Sequence, residues 1–301
     1  MRILITGGTG LIGRRLCAAL LVQGHQLTVL SRRSQQVSVL CGAGVTAMSS
    51  LDEYHRDTSF DAVINLAGEP IVDARWSERR KQILRQSRID LTESLIQKMR
   101  EASHRPQIFL SGSAIGYYGD GGDVILSEQA QAGGDFGAQL CVDWEAAAMA
   151  AAALGIRTCI LRTGLVLDAA GGMLQKMHLP FSLCLGARIG NGYQWMSWIH
   201  IDDYVAILQF LLQHHNAAGC FNMVAPEPVT NRKFTRLLAL ALHRPVFFVT
   251  PAFLLKLALG EMSELLIGGQ RVIPAKISAL GYQFKHPSLL PALTDLLKRS
   301  V

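Results

Sequence analysis

None of the six cysteines forms a C-x-x-C pair, and the nine histidines form neither an H-E-x-x-H motif nor a Cys/His cluster. Those absences remove the usual zinc-binding spacings, so no metal centre is expected. Several cysteines sit in apolar runs such as Thr158-Cys159-Ile160-Leu161, as small buried hydrophobes of a reducing compartment do. Uninterrupted apolar runs of membrane-spanning length are also missing. The most apolar late stretch, 237–268, is broken by Arg244, Pro245, Pro251 and Lys256. The chain starts directly on a strand pattern, without room for a signal peptide, so a cytoplasmic protein with no membrane contact is expected. An excess of one charge is lacking too: the formal net charge is +6 over 301 residues. The one basic group, Arg75, Arg79, Arg80, Lys81, Arg85 and Arg88, reads as a solvated helical face. Without a zinc-finger or RNA-recognition signature, nucleic acid is not an expected partner. The remaining expected partner is a small-molecule substrate, and the oligomeric state is left open.

What is present is a large hydrophobic fraction, 50% of residues, enough for a sizeable core. The most informative stretch comes first. Ile3-Leu4-Ile5 runs into Thr6-Gly7-Gly8-Thr9-Gly10-Leu11-Ile12-Gly13, and an amphipathic pattern with Leu16, Ala19 and Leu20 follows. Strand, glycine turn and helix in that order give a G-x-G-x-x-G match its physical meaning. Small residues let a pyrophosphate approach the backbone, and the free N–H groups at the helix start favour its charge. Gly7, Thr9, Gly10, Leu11, Ile12 and Gly13 are therefore expected to hold a dinucleotide.

Another absence sharpens that expectation. An acidic residue about 20 positions past such a loop holds the ribose 2′-OH of NAD. Here the second strand, Gln26 to Leu30, ends in Ser31-Arg32-Arg33, and the first carboxylate of the chain is Asp52. A guanidinium forms charge-assisted hydrogen bonds with a 2′-phosphate, which a carboxylate would repel. Ser31 and Arg32 thus point to NADP(H) in preference to NAD(H).

Further strands are expected at 44–48, 61–68, 107–111 and 156–161, with helices at 77–101 and 136–154 between them. Leu66, Ala67, Gly68 and Glu69 close the fourth strand, on the side where open α/β sheets bind ligands. Strand–helix alternation predicts an α/β Rossmann fold, a doubly wound parallel sheet with a smaller C-terminal substrate or lid part. Residues 1–165 and about 200–223 are assigned to the dinucleotide-binding domain, and 166–199 with 224–301 to the smaller one. Within that part, 166–193 reads as loop-rich. Asp202 or Asp203, after the short strand Trp198-Ile199-His200-Ile201, is expected to cap a helix running to Gln213.

Together these residues resemble the extended short-chain dehydrogenase/reductases, the NAD-dependent epimerase/dehydratase group. The markers are Thr6 to Gly13, Asp61 to Gly68, Ser113 with Tyr117-Tyr118-Gly119, Leu161-Arg162-Thr163-Gly164, and Trp198 to Asp203. Asn65 to Ile71, Gly112-Ser113-Ala114 with Gly116 to Gly119, and Gly268-Gly269-Gln270-Arg271 are similar to the YfcH-type epimerase-like branch, whose C-terminal segment would fall at about Thr250 to Val301. The resemblance implies NADP(H) binding and an oxidoreductase or epimerase acting on a small hydroxylated substrate, with nucleotide sugars among the candidates. It also implies a serine that orients the substrate oxygen, here Ser113, and a side chain passed toward the cofactor from the long helix, here Arg88. The wider family moves a proton with a tyrosine whose pKa is lowered by a lysine four residues on. No tyrosine of this chain has that lysine. Where the motif falls the sequence reads Asp135-Phe136-Gly137-Ala138-Gln139; Phe136 cannot exchange a proton and Gln139 carries no charge. Tyr117 or Tyr118 is left as proton partner and Glu69 as a further acid–base candidate. A non-catalytic NADP(H)-binding sensor or scaffold fits the missing pair equally.

Overall fold

The computed structural model describes residues 1–299; the last two residues of the C-terminal segment lie outside the described part. Its order begins β1 (Arg2–Thr6), α1 (Leu11–Val22), β2 (Gln26–Leu30), β3 (Thr46–Met48) and β4 (Ala62–Asn65). Next come α2 (Glu78–Gln86), α3 (Ile89–Glu101), β5 (Ile108–Ala114), α4 (Phe136–Met149) and β6 (Arg157–Thr163). The C-terminal half adds α5 (Gly172–Ser182), α6 (Ile201–Gln213), β7 (Gly219–Met223), α7 (Asn231–Ala241), α8 (Ala252–Leu259) and α9 (Leu289–Lys298).

The strands form one parallel sheet in the order β7-β6-β5-β4-β1-β2-β3. Period-two alternation explains why helices cover both faces. Ile3, Ile5, Ile64, Leu110 and Leu161 point into a core with Leu16 and Leu20 of α1 and Leu208 and Leu211 of α6. Leu4, Val63, Phe109 and Ile160 point the other way, against Leu95 and Met99 of α3 and Ala148 of α4. Each such side chain removed from water contributes about 1.5–3 kcal/mol. Strand order reverses between β1 and β4, and the carboxyl ends of those two strands open a crevice at this switch point.

Three sequence expectations need correction. The single helix over 77–101 is two helices, broken at Ser87-Arg88. Ser87 Oγ donates to the Leu84 carbonyl and accepts from the Glu69 N–H, tying the break to the β4 exit. The loop-rich 166–193 contains α5, an 11-residue helix with Pro180 inside it. Neither Asp202 nor Asp203 caps α6. His200 does so, its Nδ1 accepting from the Asp202 N–H at 3.0 Å. Asp203 is buried and accepts from the N–H groups of Lys285 and His286 and the Tyr282 hydroxyl, anchoring the C-terminal segment to the sheet domain.

Small strand pairs complete that segment, 165–167 with 198–200 and 187–189 with 248–250. The stacked rings of His200 and His286, 3.7 Å apart, form a group with Asp202 and Asp295 whose potential ligand atoms lie within 4.8 Å of one another. Because His200 Nδ1 accepts a backbone N–H, the neutral ring carries its proton on Nε2, which faces Asp295 Oδ2 at 3.2 Å. His286 and Asp295 belong to the C-terminal segment, so the group joins that segment to the start of α6.

Candidate functional site

The glycine turn between β1 and α1 is packed too closely for side chains at Gly8, against Val29, and against backbone at two further positions. Gly7 has φ +70°, and a Cβ there would lie 2.6 Å from the Leu66 carbonyl. A Cβ on Gly13 would lie 2.3 Å from the Gly7 oxygen. The turn is thereby seated against the β4 exit, Leu66-Ala67-Gly68. α1 begins with no side-chain cap and no acid in its first turn, so its N–H groups and dipole face the crevice uncompensated. A buried polar layer fixes both lips. Thr6 Oγ1 donates to Asn65 Oδ1 at 2.6 Å and accepts from the Ala67 N–H, while Asn65 Nδ2 and Trp144 Nε1 donate to Thr92 Oγ1.

At the outer end of the crevice, Arg32 reaches across from the β2 exit. Its side chain is 91% exposed and donates to Glu69 Oε1 at 2.9 Å, so a solvent-facing guanidinium stands where an acidic residue would hold a ribose diol. Ser31 Oγ accepts from the Arg33 N–H and shapes this turn. Glu69 is shared with Arg80, 3.8 Å away. Arg88 lies inside the crevice wall: it donates to the Glu69 carbonyl at 2.9 Å, packs over Gly68 and sits on the Trp144 ring. Burial lowers its pKa. The expectation that this basic group is a solvated face therefore fails for Arg80, which holds the Pro70 carbonyl, and for Arg88.

The three hydroxyls proposed for catalysis have different surroundings. Ser113, at the end of β5, donates to Glu145 Oε1 at 2.7 Å. Glu145 is gripped by Arg162 through two bonds, 2.9 and 2.8 Å. Arg162 also donates to the Tyr118 hydroxyl at 2.9 Å, which in turn donates to Asn222 Oδ1 at 2.7 Å. Burial works against the Arg162 charge, but Glu145 and Tyr118 outweigh it and raise its pKa. Burial pushes the Tyr118 phenol up to about 12 against the pull of Arg162. Ser113 and Tyr118 are thus members of a closed, buried network. Tyr117 differs. Its ring lies 3.5 Å above the Arg162 guanidinium, it is half-buried, and its hydroxyl has no hydrogen-bond partner among the described residues.

At the start of α4, Asp135 caps the helix through the Ala138 N–H and Phe136 packs edge-on against Trp76. The residue four beyond Phe136 is Leu140, buried in the core, and not Gln139, which is three beyond; the cation at the Phe136 ring is Lys81 of α2, 5.0 Å from its centroid. Glu145, Arg162 and Asn222 escaped the sequence reading. Arg162 carried a signal, as a charge inside an otherwise apolar strand; Glu145, in an alanine-rich helix, carried a weaker one.

Beyond β5 a cavity of about 600 Å³ lies between the two parts of the chain, lined by Trp76, Gly116, Asp135, Lys256, Glu261 and Gln270 among others. A smaller one of about 160 Å³ shares Leu265, Gly268 and Gln270 with it and is walled by Ile115, Met173 and Met196.

A seven-stranded parallel sheet with a glycine turn at its switch point defines a Rossmann-type, nucleotide-binding protein. The model of the NAD dependent epimerase/dehydratase family matches residues 3–224, and a domain of unknown function, DUF1731, matches 250–296. The chain belongs to the NAD dependent epimerase/dehydratase family. Epimerase family protein ML0860 of Mycobacterium leprae is 41% identical over 293 residues, covering 96% of this chain and 94% of the relative. The solved structure of human epimerase family protein SDR39U1 (isoform2) with NADPH is 34% identical, with a TM-score of 0.90 and 99% of both chains covered. UDP-glucose 4-epimerase of Thermotoga maritima, at 18% identity and TM-score 0.80 over 99% and 98% of the chains, shares the fold.

Proposed function

We propose that the chain is an NADP(H)-dependent oxidoreductase or epimerase acting on a small hydroxylated or carbonyl compound in the cavity beyond β5. The observation that carries the cofactor assignment is Arg32, an exposed guanidinium at the crevice mouth with no competing acid from its own strand end. Glu69 is its counter-ion in the free protein and gives way to a 2′-phosphate, which satisfies Arg32 more strongly. The glycine turn and the start of α1 take the pyrophosphate, and Arg88 holds the loop that borders it. SDR39U1, similar over the whole chain, was solved with NADPH, which supports the same choice. When bound, the nicotinamide supplies or accepts the hydride.

The protein's own contribution is a proton and a shaped cavity. Tyr117 is our choice for the proton partner, because the Ser113 hydroxyl hydrogen is committed to Glu145 and Tyr118 is buried with both bonding directions filled. Asp120, Asp135 and Glu264 line the larger cavity, with Glu261 paired to Lys81, against the single lining cation Lys256, a balance that favours an uncharged substrate over a nucleoside diphosphate. Loss of reduced-nicotinamide absorbance on a panel of small ketones and aldehydes, and chromatographic detection of an epimer from hydroxylated compounds and nucleotide sugars, test the assignment. Turnover abolished in Tyr117→Phe but retained in Ser113→Ala supports it; the reverse pattern refutes the choice of Tyr117. The closed Ser113–Glu145–Arg162–Tyr118 network favours a second reading, an NADP(H)-binding sensor. Tight NADPH binding with neither a net redox change nor an epimerised product across the panel would establish that one.

A further inference from the structure

We propose that the outer face of the C-terminal part docks on an anionic lipid surface. The inference stands on a different face from the cofactor assignment and does not depend on it. Two tracts of chain meet there: Ala187–Ile189 pairs with Phe248–Thr250, and Arg244 Nε donates to the Ser182 carbonyl at 2.9 Å. The turn after α5, the strand at 248–250 and α8 therefore lie side by side. Their apolar side chains face water: Phe247 is 77% exposed, Leu257 76%, Phe253 67% and Leu179 65%, joined by Leu183 and Leu185. α8 buries none of its residues fully, although it reads Ala-Phe-Leu-Leu-Lys-Leu-Ala-Leu. A contiguous exposed patch of this kind marks an interaction surface.

Charge selects the partner. No aspartate or glutamate occurs between Asp168 and Asp202, or between Glu227 and Glu261. The same tracts carry Lys176, Arg188, Arg232, Arg236, Arg244 and Lys256. A neighbouring element adds another cation, Arg75, which holds the Leu257 and Ala258 carbonyls at the end of α8. Of the carboxylates that follow α8, Glu261 is neutralised by Lys81 at 2.7 Å and Glu264 lines the larger cavity. A second copy of the chain would set cations against cations across a symmetric interface. Anionic headgroups satisfy them, while phenylalanine and leucine enter the acyl boundary, as in interfacial helices. No described helix is long and apolar enough to cross a membrane, so the contact is peripheral. It departs from the expectation of no membrane contact, which rested on the lack of a spanning run. Lys256 and Gly260 also line the larger cavity, so the cleft opens beside this surface.

Co-sedimentation of the full-length protein with phosphatidylcholine vesicles, with and without phosphatidylglycerol, tests the proposal. Binding is expected only with phosphatidylglycerol, weakening as salt rises. Lys256→Glu should weaken it about 30-fold, from a worth near 1 kcal/mol for each unit of charge changed. Phe253→Ser with Leu257→Ser should abolish it, while Arg100→Glu, on α3, should leave it unchanged. Circular dichroism of each variant confirms that it is folded. No binding to either vesicle, or equal binding to both, overturns the proposal. A dimer in sedimentation velocity that Phe253→Ser with Leu257→Ser dissociates also overturns it, in favour of a second copy.

Discussion

Replacing Glu145 by leucine removes the acid paired with the buried Arg162 guanidinium, and its consequence can be worked from the geometry. Arg162 is 3% exposed and Glu145 7%, and they share two bonds of 2.9 and 2.8 Å. Taking one partner from such a pair leaves an uncompensated buried charge and costs about 3–5 kcal/mol. Ser113 loses its acceptor as well, which adds about 1 kcal/mol. At roughly 2 °C per kcal/mol for a chain of this size, melting should fall by about 8–12 °C. Asp143, two residues earlier on α4, provides the control. Its pair with Arg85 at 2.7 Å is between side chains 28% and 43% exposed, and Asp143→Leu should cost about 1 kcal/mol or less. Combining Glu145→Leu with Arg162→Met removes both charges and should cost at least about 2 kcal/mol less than the two single changes added together. Thermal unfolding followed by circular dichroism measures the parent protein, the three single variants and the double variant. Equal losses for Glu145→Leu and Asp143→Leu, or strict additivity in the double variant, would refute the reasoning.

Tyr118→Phe leaves an arginine N–H and an asparagine carbonyl short of a partner and should destabilise by about 1–3 kcal/mol without altering NADPH affinity. Tyr117→Phe should do the opposite, leaving melting within about 1 °C, a surface-type effect, while turnover disappears. Calorimetric titration should show Gly13→Ala without NADPH binding, because its Cβ would fall 2.3 Å from the Gly7 oxygen; retained affinity would mean that the turn is looser than described. Burial and the neighbouring His286 lower the His200 pKa from 6.5 to about 4. Between those values the unfolded chain binds the proton and the folded one does not, so stability is full above pH 6.5 and drains as pH falls toward 4. The loss is about 3 kcal/mol by that point. His200→Asn, which keeps an acceptor for the cap, should flatten the profile measured as melting temperature against pH.

The sheet was legible because its information is local. Apolar runs of strand length, each followed by glycine or small residues and then by an amphipathic stretch, leave few alternatives to a parallel sheet, and the first of them carries the dinucleotide turn. The helix break at Ser87-Arg88 was hidden because its cause lies elsewhere, in the Glu69 backbone that both residues hold. Local propensity also misassigned the α6 cap. Aspartate after a strand is a good N-cap, but Asp203 was drawn into bonds with residues 282, 285 and 286, far along the chain, and His200 took the position. Arg32 was readable from its place after β2, whereas its pairing with Glu69 required the register of β2, β1 and β4. The closed network was least visible. Ser113, Tyr118, Glu145, Arg162 and Asn222 come from five segments, and only their packing shows that the first two are engaged.

The central claim, that Arg32 reads a 2′-phosphate at the crevice mouth, is tested most directly by titrating the protein and its Arg32→Ala variant with NADPH and NADH. The intact protein should bind NADPH more tightly. The variant should lose about 10- to 100-fold in NADPH affinity, the worth of a hydrogen bond to a charged group, while its NADH affinity stays the same. Tighter binding of NADH by the intact protein, or an equal loss for both cofactors in the variant, would contradict it.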